Sequence, residues 1–273
     1  MPELPEVETT RLGLLPLLNL RVTQVVIRNG SLRWPIPQSL IESLPHQTLK
    51  ALTRRAKYIL AHFDQGVLLL HLGMSGRLRL LSQDEPPQKH DHFDLIFNTG
   101  QVLRLHDPRR FGAVLWAGDD PQSHKLLSAL GPEPLDDAFS GYYLQQNMRT
   151  RTAAIKITIM DSHLVVGVGN IYASESLFRA RIHPLTPAKA LSLEDCNRLV
   201  VAIKSTLRDA LAAGGSSLRD FLSTDGSPGY FQQAYFAYAR TGQPCKICAN
   251  PIKNIRLGQR SMFYCDVCQR LLS

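Results

Sequence analysis

The sequence predicts an α+β protein, on three observations. Short β-branched or alternating segments crowd the first half. A helical period takes over after residue 131, and two Cys-x-x-Cys pairs close the chain. A leading helix is expected first: Val7, Leu12, Leu14, Leu15 and Leu18 roughly follow helical spacing behind Glu6 and Glu8, whose charges suit a helix start. Strands are then expected at 21–29, 57–63, 66–72, 76–81, 92–97, 101–106 and 112–116. Asp64-Gln65-Gly66 and Asn98-Thr99-Gly100 read as hairpin turns between them. So many short strands predict an antiparallel sandwich or barrel.

After Gly131-Pro132-Glu133-Pro134 the pattern is helical to about residue 224. Its clearest helix starts at Ser192, with Asp195 three positions on as in a capping box. Leu193, Cys196, Leu199, Val200, Ile203, Leu207 and Leu211 form its apolar stripe, and Gly214-Gly215 ends it. Asp225-Gly226-Ser227-Pro228-Gly229 separates this region from a basic, cysteine-rich tail. No internal repeat or low-complexity tract interrupts the order.

At 273 residues the chain has room for about two domains, or one plus a small module. With 44% hydrophobic and 20% charged residues, global disorder is excluded. No apolar run reaches the ~18 residues of a membrane span. The start, Met1-Pro2-Glu3-Leu4-Pro5-Glu6, is acidic and lacks the apolar stretch of a secretory signal, so the cytoplasm is the expected compartment. The net charge of +8 suits a polyanionic partner. From residue 234 on, Arg240, Lys246, Lys253, Arg256, Arg260 and Arg270 face only Asp266, so over half of that charge lies in the tail.

Cys245-x2-Cys248 and Cys265-x2-Cys268 have tetrathiolate zinc spacing. A tail of this size buries too little apolar surface to fold alone, and a metal would supply the missing free energy. Four thiolates leave no open coordination position, so the Zn2+ is read as one structural ion. Gly258-Gln259-Arg260 would lie at the tip of a β-hairpin between the pairs, where the arginine is either a DNA probe or simply solvated. Cys196, alone on its apolar stripe, reads as packed and unreactive.

Seven motifs occur in order: PELPEVE at the start, RRAKY around Lys57, HLGMSGRL at 71–78, KHDHFDL at 89–95, DPRRFG at 107–112, VVGVGNIYASE at 165–175, and the terminal cysteine pairs. Together they resemble the bacterial formamidopyrimidine-DNA glycosylases (8-oxoguanine-DNA glycosylases) over essentially the whole chain. The sister family, endonuclease VIII, tends to begin PEGPE, and Leu4 favours the first family. The resemblance implies an N-terminal β-sandwich with a leading helix (1–131), a helical domain with a helix–two-turns–helix motif (132–232) and a C-terminal zinc finger (238–273). It implies damaged double-stranded DNA as partner, bound between the two halves, with no membrane and a monomeric enzyme.

The implied chemistry is base excision by a bifunctional glycosylase and AP lyase. Pro2, exposed by Met1 removal, would be a secondary amine. An α-amino group has an ordinary pKa of about 8, so part of it is neutral near pH 7, unlike lysine at about 10.4. By resemblance Pro2 attacks C1′ of the damaged nucleotide and forms a Schiff base. By itself Pro2 would mark no more than a processed N-terminus. Glu3 is the implied proton donor, and Glu6 shapes the pocket; a helix-start carboxylate is the plainer reading of both. Lys57 is implied to assist β-elimination and contact the backbone, and Arg260 to serve δ-elimination. Because arginine stays charged, the firmer role of Arg260 is binding the phosphate flanking the lesion.

A glycosylase must flip its base out of the duplex. The resemblance implies that Met74, Arg109 and Phe111 fill the gap, Arg109 facing the orphaned cytosine. Phe111 lies in the turn-rich DPRRFG segment, where an exposed aromatic ring needs a partner. His71, His90, Arg151, Lys156 and Asn170 are candidate backbone contacts; Asn170 follows Gly167-Val168-Gly169, a turn that exposes N–H groups to phosphate. Two segments depart from the family pattern. Arg149-Thr150-Arg151-Thr152 stands where relatives are lysine-rich, and Tyr235–Arg240 where they more often have VYGR. The base-reading loop is expected within Ser216–Tyr235, with no recognition residues assigned. An endonuclease VIII-type enzyme for oxidised pyrimidines and a non-catalytic zinc-finger DNA-binding protein are the alternatives. Only the latter would survive loss of Pro2 with its function intact.

Overall fold

The computed structural model describes residues 1–216 and 231–272. They form two compact units: Met1–Ser128 with 213–216, and 129–212 with 231–272.

In the first unit, helix α1 (Leu4–Gly13) starts at Glu3 in a capping box. The Glu3 side chain accepts the Glu6 N–H, and Glu6 Oε2 accepts the Glu3 N–H at 2.8 Å. Pro5 fits the first turn because its missing N–H has no helical partner there. The buried face is Leu4, Val7 and Thr10, continued by Leu14 and Leu17. Leu12 and Leu15, expected on that face, are exposed: Leu12 lies about 140° round the helix from Val7, and Leu15 opens a 3-10 turn, Leu15–Leu17, that rotates the period.

Eight strands follow: β1 (Val22–Ile27), then after the short helix α2 (Leu40–Ser43), β2 (Ala51–Arg55), β3 (Tyr58–Phe63), β4 (Gly66–His71), β5 (Arg77–Ser82), β6 (Asp91–Phe97), β7 (Gln101–His106) and β8 (Ala113–Trp116). They make two four-stranded antiparallel sheets, β1-β6-β7-β5 and β2-β3-β4-β8. This is the sandwich. Val25, Leu95 and Leu103 of one sheet and Ile59, Leu68, Leu70 and Val114 of the other belong to one core, closed by Val7 and Leu14. Asp64-Gln65 and Asn98–Gly100 turn as expected. β2 was not expected. Its Thr53, Arg54 and Arg55 lack apolar alternation, because it is an edge strand whose charged side chains guard the open side. Lys57 consequently lies in the tight β2–β3 turn beside Ala56 (φ 54°), not at the start of a strand.

In the second unit, α3 (Gly141–Met148), α4 (Ile155–Ile159), α5 (Asn170–Arg179) and α6 (Leu193–Ala212) form the helical region. A turn at 162–164 and a bend at 165–167 join α4 to α5, where the helix–two-turns–helix motif is expected. The Ser192 cap of α6 forms as read: Asp195 N donates to Ser192 Oγ at 3.1 Å, and Ser192 N to Asp195 Oδ2 at 3.0 Å. Cys196, Leu199, Val200, Ile203 and Leu207 are buried, while Leu193 in the first turn is exposed. The hairpin β9 (Lys253–Leu257) and β10 (Arg260–Tyr264) turns at Gly258-Gln259, with Gly258 at φ 60°. No helix among the described residues is long and apolar enough to cross a membrane. The expected linker at 225–229 and most of the expected base-reading loop lie outside the described residues.

Candidate functional site

In the first unit the start of α1 and three loops converge. A cavity of about 630 Å³ is lined by Met1, Arg33, His71, Met74, Arg109 and Phe111, among others. Pro2 and Glu3, which follow Met1 in the chain, are buried. Glu6 is fully buried; besides capping α1, its Oε1 accepts the backbone N–H of Ser216 at 2.8 Å. One carboxylate thereby fixes both the helix start and the beginning of the segment expected to read the base. Gly215 lies close against it: a Cβ there would stand 3.1 Å from Glu6 Oε1, and its φ of +80° already disfavours other residues.

His71 ends β4, where it faces Tyr58 across the β3–β4 register with ring centroids 4.8 Å apart. Burial, with the charges of Lys57 and Arg33 nearby, lowers its pKa to about 4, so the ring is neutral at pH 7. Its Nδ1 accepts the Gly73 N–H at 3.1 Å, which leaves the ring proton on Nε2 as a donor. Lys57 is half-buried. Met74 and Phe111 are 38% and 43% exposed, unusual for side chains of their size, and the Arg109 guanidinium lies 5.0 Å from the Phe111 ring centroid. His90 occupies the turn before β6 at φ 88°, its ring 6.0 Å from that of His106.

The remaining candidates belong to the second unit. Asn170 is the first residue of α5, so the first-turn N–H groups of that helix lie around it, and its own Oδ1 is buried without a hydrogen-bond partner. Arg151 is half-buried and donates to Asp161 Oδ2 at 2.8 Å. Lys156 departs from the expectation of a backbone-facing cation. It is fully buried in α4, and its Nζ donates to Ser174 Oγ and to the Ser261 carbonyl, both at 2.9 Å. It thereby ties α5 to the hairpin strand beside Arg260. Arg260 is exposed at the start of β10, its Nη1 3.6 Å from the Met160 sulfur.

The sulfurs of Cys245, Cys248, Cys265 and Cys268 all lie within 4.8 Å of one another, with Cys245–Cys268 at 3.9 Å and Cys248–Cys265 at 3.4 Å. A tetrahedral zinc with bonds of about 2.3 Å sets sulfurs about 3.8 Å apart, so the four fit one ion. The Ile247 N–H and Asn250 Nδ2 approach Cys245 and Cys248 Sγ at 3.4 and 3.5 Å, an outer shell suited to thiolates.

Two contributors escaped the sequence reading. Arg33 lines the cavity and stacks 4.8 Å from the Trp34 ring centroid; its only signal was a basic–aromatic pair in a loop. Glu175 is fully buried in α5 and accepts the N–H groups of Phe236, Ala237 and Tyr238 at 2.7–3.0 Å. A glutamate near the end of VVGVGNIYASE reads locally as a solvated helix residue.

Three family descriptions match the chain in series. "Formamidopyrimidine-DNA glycosylase N-terminal domain" matches residues 1–114, "Formamidopyrimidine-DNA glycosylase H2TH domain" 130–222, and "Zinc finger found in FPG and IleRS" 242–271. A curated Methylobacillus flagellatus protein named formamidopyrimidine-DNA glycosylase is 66% identical, over 99% of this chain and 97% of its own. Among solved structures, the MutM (Fpg) protein of Thermus thermophilus matches with a TM-score of 0.88 and 36% identity over 98% of both chains. A Lactococcus lactis Fpg mutant, solved in complex with Fapy-dG containing DNA, matches with a TM-score of 0.92 and 31% identity over 98% of this chain and 100% of that one.

Proposed function

The chain belongs to the formamidopyrimidine-DNA glycosylase family, and on that premise we propose how it excises oxidised purines from duplex DNA and cuts the strand in base excision repair. The observation that carries the reading is the cavity at the start of α1, where Met1 shares a wall with His71, Met74, Arg109 and Phe111. A nucleophile at the N-terminus, a hydrogen-bond donor for phosphate and a wedge for the gap are the three things a base-flipping lyase needs together.

With Met1 removed, the nitrogen of Pro2 becomes a secondary amine. Its lone pair attacks C1′ of the flipped nucleotide, and the bond from C1′ to the base breaks, the base leaving with its electron pair. The departing base takes up the proton that the Pro2 nitrogen releases, Glu3 gives a proton to the ring oxygen as the sugar opens, and an iminium links Pro2 to C1′. The iminium acidifies the C2′ proton. Its removal, assisted by Lys57, expels the 3′ phosphate in β-elimination; a second elimination expels the 5′ phosphate and leaves a one-nucleotide gap. Arg260 holds the flanking phosphate through this second step.

His71 donates its Nε2 proton to a phosphate oxygen without carrying charge, while His90, Arg151 and the N–H groups at Asn170 take further phosphates. Lys156 acts on the backbone indirectly, through Ser261 and the hairpin. Glu6 shapes the pocket by anchoring Ser216. Zinc on Cys245, Cys248, Cys265 and Cys268 supplies structure to the hairpin and takes no part in the chemistry. The enzyme works as a cytoplasmic monomer, with catalysis in 1–131, helical DNA binding in 132–232 and the finger in 238–273.

Borohydride trapping on a duplex with 8-oxoguanine opposite cytosine tests the reading, the linked peptide being mapped by mass. A crosslink at Pro2 is expected. A crosslink at Pro2 with an abasic duplex but none with 8-oxoguanine would keep the mechanism and move the substrate toward oxidised pyrimidines. No crosslink to either, from zinc-loaded protein lacking Met1, would leave a DNA-binding protein without catalysis.

A further inference from the structure

Asp107 is a fully buried carboxylate to which the mechanism above gives no part. It follows β7 and opens the loop that carries Arg109 and Phe111. Its Oδ1 accepts the Ser75 hydroxyl at 2.9 Å, and its Oδ2 accepts the Gly112 N–H at 2.7 Å. Ser75 Oγ in turn accepts the Arg109 N–H at 3.3 Å. The backbone of Asp107 is held as well: its N–H donates to the His90 carbonyl at 2.9 Å, and its carbonyl meets His92 Nε2 at 2.9 Å. Two loops distant in sequence therefore close on one carboxyl group, 72–76 with Met74 and 107–112 with Arg109 and Phe111. Hydrogen bonds are stronger away from water, and a buried donor left without its acceptor is costly.

The backbones of the two loops are pressed together around this anchor. A Cβ on Gly73 would lie 2.3 Å from the Phe111 carbonyl carbon and 2.5 Å from the Gly112 nitrogen, and its φ is +62°. One on Gly112 would lie 2.8 Å from the His71 carbonyl oxygen. Neither loop can shift without moving the other. Met74, Arg109 and Phe111 meanwhile stand exposed above a buried, hydrogen-bonded base.

We propose that Asp107 and Ser75 are positioning residues that lock the two loops into a single finger, so that Met74, Arg109 and Phe111 enter the duplex as one rigid unit. The proposal rests on the reading that these three side chains fill the gap left by the flipped base. Rigidity matters because a wedge whose parts move separately would lose conformational entropy on entry and stabilise the kinked duplex less. The lock also fixes the backbone of the residue that faces the orphaned base, because Ser75 binds the N–H of Arg109 itself.

Ser75→Ala, Asp107→Asn and the double variant are measured on two substrates: single-turnover excision from an 8-oxoguanine:cytosine duplex, and borohydride trapping on a single-stranded abasic oligonucleotide, which has no gap to fill. Each single variant is expected to slow duplex excision tenfold or more and to narrow discrimination between cytosine and adenine opposite the lesion. Trapping on the single strand should stay within twofold of the unaltered enzyme. The double variant should lose less than the product of the single losses, because both act on one lock. Equal losses on the two substrates would reduce the pair to a general stabilising role, and undiminished duplex excision by Ser75→Ala would end the proposal outright. Arg109→Ala and Phe111→Ala, run alongside, isolate the underlying reading: if they slow both substrates alike, gap filling itself fails, whatever the variants at 75 and 107 do.

Discussion

Between the two sheets of the first unit, apolar side chains from Val7 to Val114 interlock in one core. The hairpin module of the second unit has far less to bury: Phe178, Ala237, Cys245, Ile252 and Cys265 make up its apolar cluster, and two of those five are metal-ligand positions. Polar groups supply what the apolar area cannot. Glu175 gathers three backbone N–H groups, Lys156 binds the Ser261 carbonyl, and Gln269 receives the Cys265 N–H at 2.9 Å while donating to the Ile182 carbonyl. A sandwich can rely on area alone, but a segment of some thirty residues must rely on directional bonds. The contrast teaches where each region is vulnerable: the sandwich to lost volume, the module to lost ligands and acceptors.

Zinc removal should separate the two most widely. Structural zinc contributes on the order of 10 kcal/mol to small modules. Chelation, or Cys265→Ser, should abolish amide-exchange protection across 245–268 and DNA binding while the sandwich keeps its own cooperative melt. A single shared transition, lost all at once, would break the comparison.

Next in size is Glu175→Ala. Three N–H groups lose their acceptor, that of Ala237 buried and those of Phe236 and Tyr238 part-buried; a buried orphan costs about 1–3 kcal/mol and a part-buried one less, so the second unit should lose about 3–5 kcal/mol in calorimetry. The first unit should melt unchanged. Leu68→Ala is the counterpart in the sandwich: Leu68 is fully buried in β4, and a cavity there should cost about 3 kcal/mol and leave zinc content at one per chain.

The smallest effect is a pH dependence confined to the sandwich. Burial beside Lys57 and Arg33 holds His71 at about 4 in the folded chain, below its ordinary 6.5. Between those values the unfolded chain binds the extra proton, so this contribution is complete above pH 6.5. It is lost progressively as the pH falls toward 4, by at most about 3 kcal/mol. Urea melts of the first unit between pH 7 and 4 should show that slope, and His71→Asn should flatten it. An unchanged slope in the variant would assign the acid limb to the buried carboxylates instead.

Much of the fold was legible because its signals are local. The alternation in 101–106 and the apolar run in 66–72 need only their own residues to declare strands, and the Ser192–Asp195 cap closes within one turn. The cysteine spacing likewise carries its own chemistry. β2 stayed hidden because an edge strand has no apolar period to show. Lys156 and Arg151 were named as candidates, but their partners stayed hidden, because Ser261 and Asp161 lie 105 and 10 residues away. Of the candidate site, the residue types were readable, and their assembly was not: nothing in HLGMSGRL or DPRRFG says that Ser75 and Gly112 share one carboxylate.

The sequence by itself determined the α+β order, the extents of most strands, the capped long helix and the four metal ligands. Each follows from periodicity, propensity or ligand spacing within a few residues. Tertiary structure alone decided which strands share a sheet, which lysine is buried, that Glu6 reaches Ser216, and that Asp107 joins two loops. Those outcomes depend on close packing and on satisfying every buried polar group, which become defined only when distant segments meet.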